Sequence, residues 1–408
     1  MKMIHYNRWL ACMAVALLLA ACTADDEYAV KDESTVVYPE IHLGVSDMTM
    51  TAVSRAADPM SPDEEKYIET LAVFEFDNEG MHIKGPTTYH FIDFLAGTVD
   101  GSSGVGDIQK TEFGVVETTL KDIAFEKYTG GTICLVANVL EDSVLAFYEK
   151  YREPEQTYGR MTLDKFKTWT LPFQYKEIPK GTYNESTAGH LEDMYMFGYY
   201  EGPIDSESDE SSKPENIRVD LGRLASRLDI TVVNETGGDL DKRLGYHFDN
   251  VCKSAYFFPI KMGVPPTFGA GQTRTVICSG DEPVEGDTEE YKIVPRTFKN
   301  GASHTRYFYV AAHSAKGEED ATKLHLFYDR KIVDDDTTDD SKSIRVPMCN
   351  VHPSEADKVT NGYSLSRNTR YHFTIRLRSK AAAASEQAVA SRSVEYGEQL
   401  GDIIVYLP

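Results

Sequence analysis

Tyr371-His372-Phe373-Thr374-Ile375-Arg376-Leu377 decides the fold class. Tyr371, Phe373, Ile375 and Leu377 alternate with His372, Thr374 and Arg376, the period-two pattern of a strand with one face on a core. The same alternation sets Leu228, Ile230 and Val232 against Asp229, Thr231 and Val233, and further strands are expected at 306–310, 323–328 and 343–346. Nearer the N-terminus, 67–77 (YIETLAVFEFD) reads as a strand closed by an Asn78-Glu79-Gly80 turn. The run 132–139 (TICLVANV) is continuous and apolar, as in a central strand. Helices are few. Residues 143–152 place Val144, Phe147, Tyr148 and Tyr151 on one face behind a Ser143 cap, and 161–169 is a second, short helix. The chain has 24 Tyr and 18 Phe but only 2 Trp, aromatics that suit pleated sheets. An all-β protein of β-sandwiches with a few short helices is expected.

At 408 residues the chain exceeds one core, so two domains are expected. The sharpest composition break, 204–216 (IDSESDESSKPEN), is acidic and Ser-rich and marks the boundary, dividing 56–216 from 217–408. Lys and Arg number 42 against 65 Asp and Glu, a net charge of −23. No basic field exists to draw phosphate, which excludes nucleic acid and anionic lipid as partners.

The first residues set the compartment. Lys2 and Arg8 precede an apolar stretch, 9–21, too short to span a membrane, so 1–21 reads as a secretory signal. It ends in Leu19-Ala20-Ala21-Cys22, which resembles the lipobox of bacterial lipoproteins, and Ala24-Asp25-Asp26-Glu27 is similar to the acidic tag of Bacteroidetes surface lipoproteins. That resemblance implies that Cys22 becomes the diacylated N-terminus. No later stretch reaches about 18 apolar residues, so any membrane tie is through lipid. Beyond a polar tether, 25–34, Val37, Ile41, Leu43 and Val45 recur at even spacing as a strand. It leads into 51–59 (TAVSRAADP), small-residue, exposed and cleavable. The last segment, Asp402-Ile403-Ile404-Val405-Tyr406-Leu407, is a strand that stops at the chain end.

No constellation supports an active site, and neither metal nor cofactor is expected. Asp334-x-Asp336-x-Thr338 matches an aspartyl-phosphate motif but lies too late in the chain, and it lacks the glycine of a calcium loop. A solvated acidic loop is the better reading. Residues 101–106 (GSSGVG) are a flexible loop without Rossmann neighbours. The 11 His include no H-E-x-x-H pair, and His372 reads as a surface residue. Gly362-Tyr363-Ser364-Leu365-Ser366 lacks the last glycine of a nucleophile elbow, and Asn184-Glu185-Ser186 matches a sequon of little meaning here. Cys134, Cys252, Cys278 and Cys349 form no C-x-x-C pair; isolated buried thiols are expected, with a Cys252–Cys278 disulfide as the alternative.

Several positions taken together resemble the FimA-type fimbrillins, the pilus subunits of Bacteroidales. They are the lipobox at Cys22, Ser54-Arg55-Ala56 before an acidic stretch, the strand 71–77, and the apolar run 134–138. They continue with Arg223-Leu224-Ala225-Ser226-Arg227-Leu228 and with 366–375 (SRNTRYHFTI), so that their order spans most of the chain. The resemblance implies two β-sandwich domains of transthyretin-like topology and a pilus subunit, exported as an outer-membrane lipoprotein, that supports adhesion and biofilm formation. It also implies cutting by an Arg-specific protease after Arg55, with Ala56 the new N-terminus, and polymerisation with other fimbrial subunits at the cell surface. Removing 22–55 would take away Val37, Ile41, Leu43 and Val45, four side chains worth roughly 6–12 kcal/mol if buried. The bare edges left behind invite β-augmentation by a neighbour. The expected donor is the C-terminal strand, with Ile403, Ile404, Val405, Tyr406 and Leu407, whose deletion would leave folded monomers that do not polymerise. Tip and anchor roles share the implied fold. A surface lipoprotein that binds glycans is the alternative from another class, although Trp9 lies in the signal and Trp169 in an amphipathic stretch.

Overall fold

The computed structural model describes residues 36–50, 66–81, 89–103, 105, 107–151, 161–173, 176–178, 194–204, 216–258, 268–269, 275–280, 294–328, 343–349, 351, 353–358, 362–380, 394–396 and 401–407. Cys22, Arg55, Ala56, the sequon, the acidic loop 334–340 and most of the 204–216 break lie outside the described residues. The described chain is all-β. The first strands are β1 (Val36–Val37), β2 (Glu40–Val45), β3 (Thr49–Met50), β4 (Thr70–Asp77), β5 (His90–Asp93), β6 (Thr98–Val99), β7 (Ser102–Ser103), β8 (Glu117–Leu120), β9 (Phe125–Glu126) and β10 (Tyr128–Ala137). Next come helices α1 (Glu141–Tyr151) and α2 (Leu163–Phe166), then β11 (Thr170–Pro172), β12 (Lys176–Ile178), β13 (Met196–Ile204) and β14 (Asn216–Arg223). The second half runs β15 (Ala225–Asn234), β16 (Leu244–Asp249), β17 (Val251–Cys252), β18 (Ser254–Tyr256), β19 (Phe268–Gly269), β20 (Thr275–Cys278) and β21 (Ser303–Ala311). It ends with β22 (Lys323–Tyr328), β23 (Ser343–Pro347), helix α3 (Pro353–Ala356), β24 (Thr369–Ser379), β25 (Val394–Tyr396) and β26 (Asp402–Leu407).

Three sheets carry the architecture: β7-β6-β5-β4-β10-β13-β14-β2-β8; β12-β21-β15-β24-β26-β25, with β3 also on β24; and β20-β16-β22-β23. The run 132–139 falls in the middle of the first sheet, with β10 paired to β4 and β13. β13 and β14 pair only at Met196↔Arg223 and Phe197↔Gly222. A Cβ on Gly198 would come within 2.7 Å of Val219 and 2.9 Å of Leu221, so glycine is required where β14 crosses β13. The composition break is thus the connection between two antiparallel neighbours, and the chain leaves the first sheet at Leu224, beyond β14.

Two apolar cores follow. One gathers the inward residues of the first sheet with Val144, Phe147 and Tyr148 of α1. The other joins Leu228, Ile230, Val232, Tyr371, Phe373, Ile375 and Leu377 to Leu244, Tyr246, Phe248, Leu324 and Leu326. The sheet of β15 and β21 touches both, because Tyr307, Tyr309 and Ala311 belong to the first core and Phe308 and Val310 to the second. That explains a departure from the simple alternation: Asp229, interleaved among apolar residues, is fully buried rather than solvated. It accepts from Arg227 Nε at 2.8 Å and is ion-paired with Arg370, while Arg227 lies 4.8 Å from the Tyr307 ring.

Two local expectations need correction. Ser143 does not cap α1: the helix begins at Glu141, and the Ser143 N–H already donates to Leu140 O. Glu141 and Asp142 in the first turn favour that earlier start through the helix dipole. The loop at 101 is the turn of the β6–β7 hairpin, with Asp100 and Gly101 both at positive φ. All four described cysteines are buried free thiols, so Cys252 and Cys278 are not bridged, and burial pushes each of these two up to about 11.

Glu75 gives a pH test. Burial, then the neighbouring Glu126 charge, push its carboxyl up to about 8 from an ordinary 4.5, against the Glu126 N–H that it accepts. The folded state therefore holds this proton more tightly, and the stability it confers is full below about 4.5 and lost as pH rises to about 8. Glu75→Gln keeps the acceptor and should gain roughly 1–3 kcal/mol in urea melts at pH 8 and almost nothing at pH 4.5. Equal gains at both pH values would contradict this.

Candidate strand-exchange site

β2 is an inner strand. It runs parallel to β14 over Glu40–Val45 and antiparallel to β8 over Ile41–Gly44, so both of its edges are paired. Ile41 and Leu43 point into the first core while His42 faces out, its Nδ1 2.9 Å from Thr119 Oγ1. Pro39, which lacks an N–H, separates β2 from β1, where Val37 pairs with Phe125. Val37, Ile41 and Leu43 are fully buried, but Val45 is only half-buried. Three side chains rather than four fill the slot, worth roughly 5–9 kcal/mol.

Residues 46–50 carry the chain across to the second sheet. Ser46 donates its N–H to Leu221 O at 2.9 Å, and its carbonyl accepts from Arg223 Nη1 at 2.9 Å. Asn368, at positive φ, accepts from Arg223 Nη1 and donates Nδ2 to Ser46 Oγ and Asp47 O at 3.1 and 2.9 Å. Lys66 closes on Asp47 at 2.6 Å, and β3 pairs with Thr369 and Arg370 of β24. The two motifs around Arg223 and Asn368, 145 residues apart, thus meet and hold the segment that follows β2. Arg55 and Ala56 fall between the anchored ends Met50 and Lys66, and are themselves outside the described residues.

The expected donor strand, β26, lies in its own sheet, parallel to β24 over 374–379 and antiparallel to β25. Ile403, Val405 and Leu407 sit in the second core, Ile404 is half-buried, and the buried Tyr406 donates its hydroxyl to Glu395 at 3.0 Å. Arg376 grips Asp402 at 2.9 Å. Gly401 (φ +83°) starts the strand where a Cβ would meet His372 O at 2.1 Å. Deleting 401–408 would therefore strip three core side chains, so the expectation of an undisturbed folded monomer does not hold. β3 and β26 occupy one edge of β24, end to end, both parallel to it.

β2 and β26 match as pieces. Each is six residues long with alternate residues inward, Ile41 and Leu43 in one, Ile403, Val405 and Leu407 in the other. Leaving one slot and filling a similar one is close to balanced in apolar burial.

The remaining candidates are taken up by structure. Ser364 Oγ accepts from Ala315 N–H at 2.9 Å. His372 is half-buried, and burial pulls its pKa down. Trp169 is buried, stacked on Phe147 at 4.1 Å, and offers no platform to a glycan. No helix among the described residues is long and apolar enough to cross a membrane.

No protein-family model and no curated protein matches the chain. Solved structures do. The tip fimbrial protein Mfa3 of Porphyromonas gingivalis, truncated at its C-terminus, is 14% identical over 82% of this chain and 94% of its own, TM-score 0.43. Fimbrilin FimA of Porphyromonas gingivalis is 11% identical over 90% and 97%, TM-score 0.41. The fimbrial anchor protein Mfa2 of the same species is 14% identical over 84% and 91%, TM-score 0.34. At these scores the likeness does not carry function across to this chain.

Proposed function

We propose that this chain is the precursor of a surface-fibre subunit: exported as a lipoprotein through Cys22, cut after Arg55, and joined to its neighbours by exchange of a β-strand. The observation that carries this reading is β2, a strand paired on both edges that precedes the cleavable stretch containing Arg55. While the chain is intact, β2 competes for its slot at the effective concentration of a tethered ligand, about millimolar. Cutting after Arg55 unties it. The slot between β14 and β8 then has two bare ladders and apolar pockets that a neighbour's strand can fill. β26 is the donor this reading assigns, and β3 shares its edge of β24, so losing 22–55 also empties the place beside the start of β26.

A shaft or accessory subunit needs both the cut and a donor, and it ranks above an anchor, which would keep its lipid and first strand. N-terminal sequencing of protein isolated from cells separates the roles. A start at Ala56 is expected in assembled material; a blocked Cys22 in the assembled material would contradict a polymerised subunit and identify an anchor.

A further inference from the structure

The outward face of the four-stranded sheet carries a cluster that strand exchange does not use. β16 sends Tyr246 and Phe248 into the core and His247 and Asp249 outward, while β22 sends Leu324 and Leu326 inward and His325 outward. His247 and His325 are direct cross-strand partners. Their facing nitrogens, His247 Nε2 and His325 Nδ1, lie 3.1 Å apart. His247 Nε2 is 3.2 Å from Asp249 Oδ1, and His325 Nδ1 is 3.3 Å from Asp249 Oδ2. A tetrahedral ion with bonds of about 2.0–2.1 Å sets its ligand atoms roughly 3.3–3.4 Å apart, and each imidazole lies at nearly that spacing from the other and from one oxygen of the carboxylate.

We propose that His247, His325 and Asp249 form a site for a divalent transition metal of the zinc class. Two imidazoles and a carboxylate suit such an ion, and three protein ligands leave a fourth position for water. A proton on either facing nitrogen can be given to Asp249 or to the other ring, so protons and metal compete for the cluster; with both facing nitrogens bare, two imidazole lone pairs and the carboxylate converge, the arrangement a cation completes. Neither far nitrogen, His247 Nδ1 nor His325 Nε2, has a hydrogen-bond partner among the described residues, so no bond there fixes a tautomer against the metal. Arg345 Nε donates to Asp249 Oδ2 at 3.1 Å and holds the carboxylate in place, with Oδ1 beside His247 and Oδ2 beside His325. The His247 and Asp249 side chains are 18% and 25% exposed, which gives an ion a way in. The ion would staple β16 to β22 across the sheet.

Equilibrium dialysis of the untagged full chain against Zn²⁺, after stripping with a chelator, is expected to load one ion per chain saturably and to raise the unfolding temperature. The double variant His247→Gln, His325→Gln should bind at least roughly tenfold more weakly and lose the thermal shift, with an unchanged metal-free melt. Asp249→Asn, a single polar swap, gives the same test should the double variant fold poorly. Absence of saturable binding, or equal binding by wild type and variants, would overturn the proposal.

Discussion

Arg55→Ala is expected to leave a full-length, acylated chain that does not assemble, with the polymer ladder on gels reduced by at least about tenfold. The cause is competition. β2 fills its slot with Val37, Ile41 and Leu43 and is paired to β14 and β8, and an uncut tether keeps it there against any incoming strand. The substitution changes none of the described residues that line the slot. Precursor and mature lengths read by mass spectrometry make the check quantitative. Fibres of normal length built from uncut Arg55→Ala chains would refute processing as the trigger.

Asp229→Ala should cost about 3–5 kcal/mol of stability, the largest loss expected from a single side chain here. The carboxylate stands between Arg227 and Arg370, and both Asp229 and Arg227 are about 1% exposed. Removing it takes the carboxylate from between two guanidiniums, one of them buried, and leaves like charges facing each other. The ring face of Tyr307 also supports Arg227, a weaker interaction than the ion pair. Urea unfolding should show a lower midpoint with little change in slope. Adding Arg227→Met to Asp229→Ala should restore part of the loss, because the stranded charge goes with it. A loss under about 1 kcal/mol would mean the network is solvated and the buried account wrong.

What could be read from the sequence followed the range of the physics involved. Tyr371–Leu377 alternates because one face meets a core, and the strand appears as β24 with those residues in it. The even spacing of Val37, Ile41 and Leu43 likewise fixed which residues of β1 and β2 point inward. Asp229 misleads the same reasoning: on its face of the sheet the neighbouring Tyr307, Tyr309 and Ala311 join the first core instead of meeting water, while His372 on β24 is half-buried. Non-local pairing was illegible. The clasp of Arg223 on Asn368 and Ser46, and the meeting of His247 with His325, join residues 145 and 78 positions apart, and only register brings them together. A single His-x-Asp on an alternating strand was the signal that could have drawn attention to His247 and Asp249. β26 was recognised as a strand, yet its burial depends on β24 and β25 flanking it, which no local pattern reports.

Cysteine trapping of the swapped strand tests the central claim most directly. One cysteine replaces Thr119 on β8, opposite the outward-facing His42 in the slot. A second replaces, in separate variants, Asp402, Ile404 or Tyr406 of β26, which covers the alternative registers. Cys134, Cys252, Cys278 and Cys349 are buried and should not interfere. Mature fibres of at least one pair should run as a disulfide-linked ladder, with a 119-to-β26 peptide joining two chains. Fibres that form without that linkage in every pair would contradict strand exchange, as would chains that stay single, uncut and acylated.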